Sequence, residues 1–232
     1  MKTCRLSCFV PLVVMMGSLA LPIIAAAQDP GAQPATNRWE PAIREFEAQD
    51  AQNPPQPGGV VFVGSSSIRM WNLKESFPDL DALNRGFGGS QLSDVVEFAD
   101  RIILPYKPRL VIVYAGDNDL AANKPPERVV ADYRRLVKQI HEKLPETRIA
   151  FIGVKPSISR WRLIEQVREV NRTVAAIAAE DERLEFIDIE PSMLGEDGQP
   201  RKELFLADGL HLNAAGYEVW TKLVRPVLAP SR

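Results

Sequence analysis

Val60-Val61-Phe62-Val63-Gly64-Ser65-Ser66-Ser67 is the stretch on which the fold turns. Apolar, mostly β-branched residues run together without alternation. They then give way to a glycine and three hydroxyls. Such runs suit a strand buried on both faces, as in a parallel sheet covered by helices. The pattern recurs. Ala82-Leu83-Asn84, Leu110 to Tyr114, Ile149 to Ile152 and Leu184 to Ile187 read as further strands. Between them, apolar positions step by three or four. Val129, Tyr133, Leu136, Ile140 and Leu144 mark a helix over 127–144, and Leu163, Val167, Val170, Val174 and Ile177 mark another. Trp220, Leu223, Val224, Val227 and Leu228 form a last stripe behind Asn213, a suitable N-cap. Trp39 to Asp50 reads as a short helix ahead of the first strand. This alternation predicts an α/β fold, a parallel sheet with helices on both faces.

Composition narrows the class. The 232 residues are 45% hydrophobic and 25% charged, which excludes a disordered tail, a collagen-like rod or a multi-span membrane protein. With 28 Lys+Arg against 30 Asp+Glu, the net charge of −2 gives no electrostatic ground for a nucleic-acid partner.

The N-terminus reads separately. Lys2 and Arg5 precede an uncharged, apolar stretch from Phe9 to Ala27, and small residues Ala25-Ala26-Ala27 come just before polar Gln28-Asp29. That is the anatomy of a signal peptide over residues 1–27. It predicts an exported protein, periplasmic or secreted, with no stable membrane insertion after cleavage. An uncleaved anchor is the rival reading, since about 20 apolar residues span a bilayer. Pro22 and the alanine run favour cleavage. Cleavage would remove Cys4 and Cys8, the only cysteines, leaving no disulfide, thiolate nucleophile or zinc–thiolate site. Residues 28–58 then form a lead-in and helix, ending in the turn-forming run NPPQPGG, and the main domain spans 59–232.

In open parallel sheets, ligands bind beyond the C-terminal ends of the strands. Four segments lie there. Gly64-Ser65-Ser66-Ser67 offers a hydroxyl between strand and helix, a nucleophile if a base reaches it. Gly86-Phe87-Gly88-Gly89-Ser90 offers backbone N–H groups at close approach. It is not a dinucleotide fingerprint, because Gln91 stands where the third glycine belongs. Gly116-Asp117-Asn118-Asp119 offers a side-chain amide for developing negative charge. Its carboxylates have too few companions to suggest a calcium site. Asp208-Gly209-Leu210-His211 offers a general base with a carboxylate to orient it. His141, the other histidine, lies in the 127–144 stripe as a flank or surface residue. Each segment has a plainer reading alone: capping serines, a tight turn, an Asx turn, a solvated histidine. Together and in order they make a catalytic set.

With these blocks the chain resembles the SGNH hydrolases, the GDSL-type esterase and lipase superfamily. Ser66 matches the nucleophile block, Gly89 the oxyanion glycine, Asn118 the G-x-N-D block, and Asp208 and His211 the terminal D-x-x-H. The likeness runs from Val60 to the C-terminus. The wording FVGSSSIRMW is similar to an exported bacterial group with a Gly-Ser-Ser-Ser first block. Ser65 stands where the superfamily has Asp, which leaves Ser65 and Ser67 as rival hydroxyls.

The resemblance implies a three-layer α/β/α, flavodoxin-like fold, with a five-stranded parallel sheet in the order 2-1-3-4-5 and an open site. It implies a serine esterase acting on short-chain carboxylic esters, including acetyl esters of carbohydrates. Ser66, His211 and Asp208 would form a triad. The N–H groups of Ser66 and Gly89 and the Asn118 amide would form the oxyanion hole. No metal or organic cofactor is expected. Tyr114, Trp161 and Leu212 are candidates to line the substrate site, by adjacency to these blocks. The partner expected is a small-molecule or glycan ester. Lysophospholipase or thioesterase activity, and a degenerate module that binds an acylated glycan without turnover, are the alternatives. A flavin carrier rests on fold analogy alone.

Overall fold

A computed structural model describes Met1 and residues 37–229. The expected cleavage site and the rest of the lead-in to Thr36 lie outside the described residues. Helix α1 (Glu40–Gln52) precedes β1 (Val60–Gly64), the short helices α2 (Ser66–Arg69) and α3 (Leu73–Ser76), and β2 (Ala82–Gly86). Next come α4 (Leu92–Ile102), β3 (Leu110–Tyr114), the short α5 (Asp117–Ala121), α6 (Pro126–Lys143) and β4 (Arg148–Ile152). The chain ends with α7 (Ile164–Ala178), β5 (Leu184–Ile187), the short α8 (Glu190–Met193) and α9 (Ala214–Val224).

The five strands are parallel, in the order β2-β1-β3-β4-β5. Alternate side chains of each strand leave on opposite faces. Val61, Val63, Val111, Val113, Ile149 and Phe151 go to one face, against apolar residues of α1, α4, α6 and α7. Val60, Phe62, Leu110, Ile112, Ala150 and Ile152 go to the other, against α2, α3 and α9. Both faces are dry, which is why the strands read as continuous apolar runs. This is the three-layer α/β/α arrangement expected.

Two features depart from the sequence reading. Helix α4 has no counterpart there, although Leu92, Val95, Val96, Phe98, Ala99 and Ile102 are all buried at helical spacing. Its start is fixed by a reciprocal cap, with Asp94 accepting from the Gln91 N–H and Gln91 accepting from the third helical residue. The last apolar stripe is not one helix. Asn213 caps α9 by accepting from the Gly216 N–H, but α9 stops at Val224 and Arg225–Leu228 tightens into a 3₁₀ turn. Pro226 has no N–H to continue the α ladder. Among the described residues, no helix is long and apolar enough to cross a membrane.

The register sets the ends of β2, β1 and β3 level. Gly64 pairs with Gly86 on one side and with Tyr114 on the other. The segments that follow β1, β2 and β3 therefore emerge side by side at one edge of the sheet.

Candidate active site

Ser66 is placed by the glycine before it. Gly64 has φ +139°, and a Cβ there would lie 1.8 Å from the Tyr114 carbonyl oxygen. Only glycine lets β1 approach β3 this closely and still turn into α2. The three hydroxyls then separate. Ser65 is wholly buried, and Ser67 is buried with its Oγ accepting from Lys155 Nζ at 3.1 Å. Ser66 alone is partly exposed, with Oγ 3.1 Å from His211 Nε2.

His211 comes from a tight turn before α9. The Leu206 N–H donates to the His211 carbonyl at 2.8 Å, and Gly209, at φ +62°, closes the bend. Asp208 organises that turn with both oxygens. Its Oδ1 accepts the Leu210 and His211 N–H groups at 2.9 Å each, and its Oδ2 lies 2.6 Å from His211 Nδ1. A carboxylate only accepts, so Nδ1 carries the proton and the Nε2 lone pair faces Ser66. The hydrogen bond from His211, with the two backbone donors, lowers the Asp208 carboxyl to about 2. It therefore stays ionised across the neutral range.

Three donors lie on the segments that follow β1, β2 and β3. The Ser66 N–H, at the first position of α2, has no intrahelical acceptor. Gly89 sits in the turn after β2 at φ +78°, and its N–H bonds to no acceptor among the described residues. Asn118, at the start of α5, donates from Nδ2 to the Ser90 carbonyl at 3.0 Å, so its amide lies against the Gly88-Gly89-Ser90 turn. A region rimmed by two backbone N–H groups and an amide suits an oxyanion.

A buried charged cluster underlies this rim. Lys155, just past β4, donates from Nζ to Asp117 Oδ2 at 3.0 Å, to the Tyr114 hydroxyl at 2.9 Å and to Ser67. Arg160 Nη1 lies 3.2 Å from Asp117 Oδ2, off line for a hydrogen bond, and Nη2 donates to Asn118 Oδ1 at 2.9 Å. Burial pushes the Asp117 carboxyl up, but Lys155 and Arg160 beside it hold it below the usual carboxylate range. Burial pulls the Lys155 ammonium down, and Asp117 opposes that. The sequence reading missed Lys155 and Arg160. The available signal is positional, since Lys155 closely follows β4, at the end of the sheet where ligands bind.

The expected substrate-lining residues fare differently. Tyr114 is fully buried, its ring 4.8 Å from that of Trp220, so it offers no surface to a substrate. As the last residue of β3 it points into the α9 face of the core. Leu212 is also buried, in the same cluster as Phe205 and Trp220. Trp161 is partly exposed and, with Ile158, borders an open hollow of about 820 Å³. The Ser159 N–H donates to the Gly209 carbonyl at 3.1 Å, so this hollow adjoins the turn that carries His211. His141 lies apart from the site, its ring nitrogen 3.0 Å from the Thr147 carbonyl.

Residues 64–219 match the GDSL-like Lipase/Acylhydrolase family. The chain belongs to that family. As a GDSL-like member it is a carboxylic ester hydrolase on an SGNH-type fold. The human platelet-activating factor acetylhydrolase IB subunit alpha1 is 29% identical over 187 residues, covering 78% of each chain. Among solved structures, a GDSL-like lipase from Bacteroides thetaiotaomicron superposes with a TM-score of 0.70 at 17% identity, over 80% of this chain and 96% of that one. A catalytic mutant of an acetylxylan esterase from Geobacillus stearothermophilus gives 0.60 at 16% identity, over 76% and 99%. At these identities the two structures speak for the fold alone.

Proposed function

We propose that this chain is a serine esterase cleaving short-chain carboxylic esters, acetyl esters of carbohydrates among them, through an acyl-enzyme. The observation that carries the reading is the chain of contacts from Asp208 through His211 to Ser66, at 2.6 and 3.1 Å. His211 Nε2 takes the Ser66 proton as Oγ attacks the ester carbonyl, while Asp208 holds the imidazole in the tautomer that can accept it. The carbonyl oxygen gains its negative charge facing the Ser66 and Gly89 N–H groups and the Asn118 amide. His211 then protonates the leaving alcohol. In the second half, His211 takes a proton from water, the resulting nucleophile attacks the acyl carbon, and the proton returns to Ser66 Oγ.

The candidate pair is open to solvent, and the short-chain preference draws its support from similar proteins. Asp208 is about half exposed and His211 about a quarter, and the bordering hollow is not enclosed. Two of the similar proteins carry names that describe removal of acetyl groups, which fits. We also read residues 1–27 as an export leader and the mature chain as periplasmic or secreted, an expectation that N-terminal sequencing from Gln28 would meet.

The test is hydrolysis of p-nitrophenyl acetate, butyrate and octanoate by wild type, Ser66→Ala and Asn118→Ala. Wild type is expected to turn over acetate and butyrate faster than octanoate. Ser66→Ala should have no turnover above background, and Asn118→Ala should lose roughly 10²–10³ in kcat. Full activity in Ser66→Ala would overturn the nucleophile. A wild type inert to all three esters and to a serine-reactive fluorophosphonate probe would favour the non-catalytic binding module.

A further inference from the structure

An asparagine amide presents nearly the same shape in two orientations that exchange its oxygen and nitrogen. For Asn118 the two have opposite value. With Nδ2 toward the Ser90 carbonyl and the Gly89 turn, the amide can donate to an oxyanion. Turned over, it would aim a carbonyl oxygen at the developing negative charge. The Ser90 contact favours the first orientation, and Ser90 is a backbone acceptor on a glycine-bearing turn.

We propose that Arg160 is a positioning residue that locks the Asn118 amide in its donating orientation. Its Nη2 donates to Asn118 Oδ1 at 2.9 Å. In the turned-over amide, the NH₂ group would face the guanidinium donor to donor, and Oδ1 would face the Ser90 oxygen. Both contacts would become repulsive, so the two partners select one orientation. The guanidinium is itself held. Its Nη1 lies 3.2 Å from Asp117 Oδ2, and the Arg160 N–H donates to the Ser157 carbonyl at 3.2 Å. Asp117 is buried and anchored by Lys155 at 3.0 Å, and its Oδ1 accepts the Asn118 N–H at 2.9 Å. One carboxylate thus fixes both the backbone of Asn118 and the cation that orients its side chain.

The cation also polarises the amide it binds. Charge withdrawn at Oδ1 makes the Nδ2 hydrogens better donors, and that gain matters most when the oxyanion carries full charge. The effect belongs in kcat, with KM unchanged. A hydrogen bond to a charged group of this kind corresponds to about a tenfold to hundredfold rate effect.

This inference rests on the esterase reading above, so the experiment separates the two. Steady-state kinetics on p-nitrophenyl acetate would be measured for wild type, Ser66→Ala, Arg160→Met, Asn118→Ala and the Arg160→Met/Asn118→Ala pair. Arg160→Met should lower kcat about tenfold to a hundredfold with KM within about twofold. In the Asn118→Ala background the same change should cost less than about twofold, because nothing remains to be oriented. Additive losses, a raised KM at constant kcat, or no effect would overturn the role of Arg160 while a dead Ser66→Ala still upheld the esterase. An active Ser66→Ala would remove the esterase mechanism and this inference with it. A crystal structure of Arg160→Met gives a readout independent of turnover. The Asn118 amide should leave the Ser90 carbonyl or become mixed in orientation, and an unchanged, single orientation would refute the lock. Thermal melting guards against misfolding, since Asp117 keeps Lys155 in Arg160→Met.

Discussion

Asp117→Asn should destabilise the protein by an amount that shrinks as pH rises. Asp117 and Lys155 are both buried, and among the described residues the other hydrogen-bond partners of the Lys155 ammonium are two hydroxyls, on Ser67 and Tyr114. The amide keeps the size of the carboxyl but removes its charge. Lys155 then loses its hydrogen-bonded counter-ion and keeps only the more distant charge of Asp208, and breaking such a buried pair costs about 3–5 kcal/mol. The cost has a ceiling, because the lysine can release its proton. Taking a group of ordinary pKa about 10.4 to its neutral form at pH 7 costs roughly 4.6 kcal/mol, at 1.36 kcal/mol per unit. The sign follows from proton counts. In the variant, folded Lys155 is neutral while unfolded Lys155 is charged, so the unfolded state binds one more proton and stability rises with pH. Between pH 7 and pH 9 the deficit relative to wild type should fall by up to about 2.7 kcal/mol. Urea titrations of both proteins at the two pH values measure it. With a slope of about 3 kcal/mol/M, the gap between midpoints should narrow by up to about 0.9 M. A deficit under about 1 kcal/mol at pH 7, or one that does not change with pH, would refute the reasoning.

Asp208 has its carboxyl at about 2, so it keeps its charge as pH falls until that region, and its hydrogen bond with His211 persists with it. The profile of kcat/KM from pH 8 to pH 3 should therefore show no acid limb near pH 4 that Asp208→Asn abolishes, and such a limb would count against the arrangement. At neutral pH, Asp208→Asn should itself cost on the order of 10³–10⁴ in kcat, by losing the acceptor that fixes the imidazole tautomer. Gly64→Ala should yield no folded protein by circular dichroism, since its Cβ would meet the Tyr114 carbonyl oxygen at 1.8 Å on an already positive φ. Arg101, which bridges Glu40 and Glu47 of α1 from α4, is a third exposed, so Arg101→Met should cost about 1 kcal/mol or less in urea denaturation, falling further with salt.

The legible parts of this fold are those with a short-range cause. Burial on both faces turned β1, β3 and β4 into unbroken apolar runs, and their strand identity followed. Asn213 was legible as a cap because its side chain acts three residues away, on Gly216. Asp208 and His211 were legible for the same reason, since their contact is made within one turn. Lys155 and Arg160 were not. Their partners are Asp117 and Asn118, about 40 positions away, and only the β3–β4 pairing brings them together. Tyr114 does not line the site because both faces of β3 are covered by helices, so closeness in sequence to the G-x-N-D segment does not expose its side chain.

Ser65 shows how a departure from a family pattern can leave a site intact. Its placement depends on backbone bonds. The Ser65 N–H donates to the Tyr114 carbonyl at 3.0 Å, and its own carbonyl accepts from Ile68 and Arg69 to start α2. Any residue compatible with that conformation makes those bonds, so Ser66 is delivered to His211 whether position 65 carries a hydroxyl or a carboxylate. What a carboxylate there would change is the charge of a fully buried position beside Ser66. Lys155, the buried cation that touches this block at Ser67, already has a carboxylate in Asp117. A carboxylate at position 65 would add a further buried charge, and each unpaired one is costly. With the counter-charge supplied just beyond the end of β3, a neutral side chain at position 65 avoids that cost, while the Ser65 hydroxyl itself finds no hydrogen-bond partner among the described residues.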